Sequence, residues 1–315
     1  MDKSWTIAAR LARARAHPSP LERAAPRCHP EPSIVNPEPS TPTLLHRWFE
    51  AEPAVLQAGE PLACIHDGSV AHVVLNQPDK RNAMNAAMWA GLAPLMARLE
   101  ADATVRLVVF RGAGAEAFSA GADISEFAGT FATPESTARY NADVRRAQLA
   151  VERLAKPTLA VIHGACVGGG CGLALACDLR FASHESRFAI PASKLGVAYS
   201  VPDTRRLVAL VGAGRAKDIL FSGRLLDAAE AAAIGLATRV VPGSELEQAA
   251  ADYARGLHSN SPQAMATAKA IVNSLSGVHV QADQVLEERF TASFSSEDFR
   301  EGYTAFLEKR RPTFG

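Results

Sequence analysis

The chain has 315 residues, with 33 basic and 33 acidic side chains, a formal net charge of zero and 48% hydrophobic content. This balance argues against nucleic acid or an anionic membrane surface as the main partner, and no apolar run reaches the roughly 18 residues of a membrane span. The five cysteines, Cys28, Cys64, Cys166, Cys171 and Cys177, are odd in number and lack a paired CxxC spacing, so a reduced, cytosol-like compartment without structural zinc is expected.

Residues 1–60 differ from the rest. Ten of the nineteen prolines lie in the first 61 residues, with Arg10, Arg13, Arg15, Arg23 and Arg27 among them and no long apolar periodicity. Such a stretch buries too little to repay chain ordering, so it reads as a largely disordered extension. Its arginine-rich, acid-poor start at Ala8–Arg15 bears a faint likeness to an organelle transit peptide, which sets an organelle matrix beside the cytoplasm as a location; an extension of no function is the alternative.

Ordered structure is expected from about Leu62. Two short strands flank the Asp67-Gly68 turn, and Met84, Met88, Leu92, Leu95, Met96 and Leu99 then fall on one helical face. Arg106–Gly112 reads as a buried strand, residues 113–123 as a loop, and Ser136–Leu154 as a second helix. The apolar run Leu159–Ile162 feeds three glycines, Gly168, Gly169 and Gly170, and then an apolar helix. Glycines at a strand-to-helix turn present backbone N–H groups and the positive end of the helix dipole to a ligand, a place to hold developing negative charge. A packing turn uses the same device, and neither a GxxxxGK[ST] nor a GxGxxG pattern is present. Further on, Ser200 with Asp203 and Asp227 with Glu230 spell capping boxes, the first opening a helix over Val201–Val211. Ser244 with Glu247, and Ser261 before Pro262, open two more helices. Alternating strands and helices imply an α/β core.

Four stretches together resemble the crotonase, or enoyl-CoA hydratase/isomerase, superfamily: NQPDKRNAMN at Asn76–Asn85, FSAGADISEF at Phe118–Phe127, HGACVGGGCGLALACDLRFA at His163–Ala182, and EDFREGYTAFLEKRRP at Glu297–Pro312. The resemblance implies an α/β fold: a spiral of ββα units over residues 61–242, then a C-terminal helical trimerisation segment over residues 243–315. It also implies homotrimers, often paired into hexamers. The substrate it implies is an acyl-CoA thioester, with CoA entering as part of the substrate and no separate cofactor or metal. By this similarity the thioester oxyanion is held by the backbone N–H groups of Ala122 and Gly169. The adenine would lie near Arg81, Asn82 and Ala83, the pantetheine path along Asp123, Ile124 and Ser125, and Phe306 and Lys309 would approach CoA from the last helix.

The pattern is broken at two places. Hydratases of the family carry one glutamate directly after the GGGC run and another just after the proline that follows the next strand; here these are Gly172 and Ala192. Neither can transfer a proton. Tyr199, Ser200 and Asp203 are the replacements on offer. Tyr199 matches a tyrosine of methylmalonyl-CoA decarboxylases, a reaction that needs an oxyanion hole and no strong base. Ser200 and Asp203 also read as helix caps. Three expectations stand side by side: an acyl-CoA lyase of hydratase type with unusual acid/base groups, a decarboxylase of a malonyl-type thioester, and a non-catalytic acyl-CoA binder. Glu126, Tyr140, His163, Cys166 and Cys171 read as packing or surface residues.

Overall fold

The computed structural model describes Ile34–Val35, residues 60–276 and six single positions from Glu297 to Thr313. Eleven strands lie among the described residues: β1 (Ile34–Val35), β2 (Leu62–Asp67), β3 (Val70–Leu75), β4 (Leu107–Gly112), β5 (Ala117–Ser119), β6 (Thr158–Ile162), β7 (Ala165–Val167), β8 (Leu179–Ser183), β9 (Arg187–Ala189), β10 (Leu226–Asp227) and β11 (Arg239–Val241). They form two sheets, ordered β1-β2-β3-β4-β6-β8-β11 and β10-β9-β7-β5. All pairings are parallel except the β2–β3 hairpin and β9–β10.

The larger sheet is buried on both faces, and the strand period of two sorts its residues between two cores. Val108 and Phe110 of β4 face the main core, with Ala160 and Ile162 of β6; Leu107, Val109, Leu159 and Val161 face a second one. The main core is closed by α1 (Ala86–Ala101), whose Met88, Trp89, Leu92, Leu95, Met96 and Leu99 are all buried, packed with Ala147 and Val151 of the helix Pro134–Arg153. The second core is closed by the helix Leu246–His258 through Leu246, Ala250, Ala251, Ala254 and Leu257.

With the four-residue helix Phe127–Thr130 as α2, the long helix Pro134–Arg153 is α3. The remaining helices are α4 (Gly169–Ala176), α5 (Val201–Ser222), α6 (Ala228–Ala233), α7 (Leu246–His258) and α8 (Pro262–Leu275). Strands β5 and β7, three residues each, stand in stretches that read as a loop and as the approach to the glycine turn, because segments this short carry no usable periodicity. Ile34–Val35 pair in parallel with Cys64–Ile65 of β2. One expectation needs correction. Ser244 caps no helix: it lies in the 3-10 turn Gly243–Glu245 that leads into α7.

Candidate active site

The glycine turn and the loop after β5 meet at the N-terminus of α4. Gly168 takes φ 53°, ψ −115°, a conformation open to glycine, and turns the chain from β7 into α4. Gly170 is forced by close approach: a Cβ there would lie 2.5 Å from the Ser119 Cβ. The tight seam brings two backbone donors together. A side chain begun at Gly169 would stand 3.8 Å from the Ala122 nitrogen.

Ala122 is held by a parallel bridge to Met84, in which the Met84 N–H donates to the Gly121 carbonyl at 2.6 Å and the Asp123 N–H donates to the Met84 carbonyl at 3.0 Å. The ladder thus uses the neighbours of Ala122 and turns its own N–H the other way. The Gly169 N–H is the first of α4 and has no partner inside the helix. Two backbone amides that donate to no acceptor among the described residues, with a helix dipole behind one of them, suit an oxyanion.

Beside this pair stands a buried polar cluster at Gly172. A Cβ at Gly172 would meet Gln148 Nε2 at 2.7 Å, the Tyr199 hydroxyl at 3.0 Å and Asp203 Oδ1 at 3.3 Å. Gln148, Glu152, Asp203 and Arg206 are all buried. Arg206 is the hub: its Nη1 donates to Asp203 Oδ1 at 2.9 Å and to Gln148 Oε1 at 3.3 Å, and its Nε donates to Glu152 Oε2 at 2.7 Å. Asp203 Oδ2 accepts the Ser200 hydroxyl at 2.6 Å, while Ser200 Oγ caps α5 by accepting the Asp203 N–H at 3.2 Å. Asp203 is thus a cap, an ion-pair partner and a wall of this space at once. Tyr199 donates to the Gly168 carbonyl at 3.4 Å. Burial and the nearby Asp203 carboxylate raise its phenol well above the ordinary tyrosine value. Tyr199 is thus held as a neutral phenol. Ala192 starts no acid/base group, being part of the 3-10 turn Pro191–Leu195.

The expected nucleotide side lies on the other flank. Arg81 and Asn82 take left-handed φ of 51° and 55°. The Asn82 amide donates to the carbonyls of Ala113 and Ala117 at 2.9 and 2.7 Å, and Ala83 is buried, so these residues offer backbone rather than side chains. Asp123 accepts from Lys80 Nζ at 2.7 Å and from the Ser125 hydroxyl at 2.6 Å. Burial alone would raise its pKa, but the bonds from Lys80 and Ser125 outweigh this and hold the carboxyl below its usual range. Ile124 is exposed beside them. Phe306 and Lys309 lie outside the described residues.

Other residues fall into packing roles. Glu126 accepts the Ala86 N–H at 2.8 Å, Tyr140 packs edge-on against Phe131, and burial holds Cys166 as a thiol by raising its pKa. The half-buried His163 is held neutral by burial, with a pKa lowered to about 4. Gln148, Glu152 and Arg206 were invisible to sequence reasoning. The only signal is on α3, where Gln148 and Glu152 follow the buried Ala147 and Val151 at the same four-residue spacing.

Comparison with known proteins identifies the family. The family model for enoyl-CoA hydratase/isomerase matches residues 66–315. The short-chain-enoyl-CoA hydratase of Clostridium acetobutylicum is 37% identical over 250 residues, which span 78% of this chain and 94% of that protein. A crystal structure of an enoyl-CoA hydratase/carnitine racemase from Magnetospirillum magneticum superposes with a TM-score of 0.77 at 33% identity, covering 86% of this chain and 98% of that one. The enoyl-CoA hydratase of Bacillus anthracis gives 0.75 at 32% identity, with 81% and 98% covered. By sequence, by fold and by the paired loops at the head of α4, this chain belongs to the enoyl-CoA hydratase/isomerase family.

Proposed function

We propose that the chain is an acyl-CoA lyase that forms a thioester enolate between the N–H groups of Ala122 and Gly169 and protonates it from Tyr199. The observation that carries this is the place of the Tyr199 hydroxyl, 3.0 Å from where a side chain on Gly172 would begin, the position of a hydratase glutamate. The N–H pair supplies the electrostatic part; one such donor is worth about 3–4 kcal/mol in the transition state. In conjugate addition, water bonds to Cβ while Asp203, steadied by Ser200 and Arg206, takes its proton; the enolate then takes a proton at Cα from Tyr199, and the proton held by Asp203 restores the phenol.

A second reading, decarboxylation of a malonyl-type thioester, draws on a separate observation. Asp203 is bonded on one oxygen by Arg206 and on the other by Ser200, so both oxygens are already engaged. Loss of carbon dioxide delivers the electron pair to the enolate without any base and still ends in protonation by Tyr199. Arg81, Asn82 and Ala83, with Asp123, Ile124 and Ser125, are proposed to carry the CoA moiety through their backbone. Assembly is proposed as a homotrimer or a pair of trimers.

Purified protein given crotonyl-CoA, methylmalonyl-CoA and a 3-enoyl-CoA, with products followed by mass spectrometry, separates gain of water, loss of carbon dioxide and isomerisation. Tyr199→Phe is expected to lower turnover at least 100-fold, as for loss of a general acid, while leaving the CoA dissociation constant nearly unchanged. An unaltered rate removes Tyr199 from the chemistry. Binding without turnover of any of the three supports the non-catalytic acyl-CoA binder instead.

A further inference from the structure

Gln148 is 2% exposed, and among the described residues its Nε2 donates to no protein acceptor. A buried N–H without an acceptor costs on the order of 1–3 kcal/mol, so such groups are retained where something else accepts from them. The amide cannot be turned over to escape this. Its Oε1 accepts from Arg206 Nη1, a group that only donates, so Nε2 is the end that faces Gly172. There it lies against the face of α4 that Gly172 leaves without a side chain, next to the Tyr199 hydroxyl.

Gly172 lies three residues along α4 from Gly169, a rise of about 4.5 Å on the helix. With the thioester oxygen at Gly169, an acyl group running along α4 brings an oxygen carried on its third carbon to about this distance. The bond that Gln148 Oε1 accepts from Arg206 uses only the carbonyl end of the amide, and Arg206 is paired with Asp203 and Glu152 besides.

Building on the acyl-CoA reading above, we infer that Gln148 is a substrate-specificity residue whose Nε2–H binds an oxygen on the third carbon of the acyl group. That oxygen is a hydroxyl, or its precursor water, in a hydratase, and a carboxylate in a decarboxylase. The site therefore takes β-oxygenated acyl thioesters in preference to plain alkanoyl ones. A site built around a hydrogen bond rejects an analogue lacking the partner, because the buried donor is then left unpaired.

Calorimetric titration of the full chain with 3-hydroxybutyryl-CoA, malonyl-CoA and butyryl-CoA tests this. The parent protein is expected to bind one of the two oxygenated ligands at least tenfold more tightly than butyryl-CoA, and which one it prefers tells hydroxyl from carboxylate. Gln148→Met, close in length but without the donor, is expected to bring that ratio near one with butyryl-CoA affinity unchanged or tighter. Gln148→Asn, which keeps the amide but draws it back by one methylene, gives the same collapse and serves where the first variant folds poorly. A purely structural role would weaken all three ligands together, and that result overturns the assignment, as does a ratio unchanged in both variants. Equal affinity for all three ligands in the parent overturns it too. Failure of the parent protein to bind any of them overturns the acyl-CoA reading itself and this inference with it.

Discussion

At Gly172 a glutamate has not simply been lost; its place is filled. Gln148 from α3, Tyr199 from the turn before α5 and Asp203 from α5 all come within 3.3 Å of the point where a side chain would begin. Restoring the hydratase residue is therefore not expected to restore the hydratase site. Gly172→Glu should destabilise the fold by about 1–3 kcal/mol through overpacking, and crotonyl-CoA hydration should not rise above the parent rate. Chemical denaturation and a spectrophotometric hydration assay check the two halves, and a gain in hydration would show that the polar cluster gives way without loss. Sequence reasoning saw that Gly172 and Ala192 could not transfer protons, and it named Tyr199, Ser200 and Asp203 around the gap. It missed Gln148 because a buried polar residue on a helix looks like a solvated one until the neighbouring helix is placed over it. Arg206 was missed for the same reason: its charge gives no hint that three acceptors surround it.

The helix α4 does its work through its first turn, and the sequence announced it through its glycines. Proline is well tolerated at the first position of a helix, where the missing N–H has no intrahelical partner. Gly169→Pro thus removes a candidate oxyanion donor with modest damage to the helix, the nearest obstacle being Trp89 Cζ2, 3.2 Å from the new Cβ. Turnover is expected to fall at least 100-fold, in keeping with the loss of one oxyanion donor. Retained turnover, measured on protein shown by circular dichroism to be folded, would place the oxyanion elsewhere. Elements with strong end signals were legible in this way: the Asp67-Gly68 hairpin, the Ser200, Asp227 and Ser261 caps, and the buried face of α1. The second half of α5 was not. Gly212, at φ 77° and ψ 160°, interrupts the helix, yet the chain resumes helical turns to Ser222 because Ala216 and Ile219 return to the core on the far side.

For the whole molecule, apolar surface lies next to the site. Leu195, Val197, Phe221 and Leu225 are 57–76% exposed, and they belong to one patch. The Ser193 hydroxyl donates to the Phe221 carbonyl at 3.3 Å, and a Cβ on Gly223 would come within 3.1 Å of Pro191. Large exposed apolar side chains grouped on one face mark an interaction surface rather than a solvated one. This patch is joined through Gly196–Ala198 directly to Tyr199, so whatever covers it also steadies the turn that carries the proposed acid. A second copy of the chain is the expected cover, in the trimeric or hexameric assembly that the family resemblance implies. Sedimentation velocity should then give a species at a multiple of the 33.4 kDa chain mass. Phe221→Asp should shift it toward the monomer by setting a charge in a desolvated contact. Turnover should fall with it, and the parent enzyme should lose specific activity on dilution below the association range. A parent protein that sediments as a monomer at every concentration, with activity strictly proportional to its amount, would show that Tyr199 is held by its own chain alone.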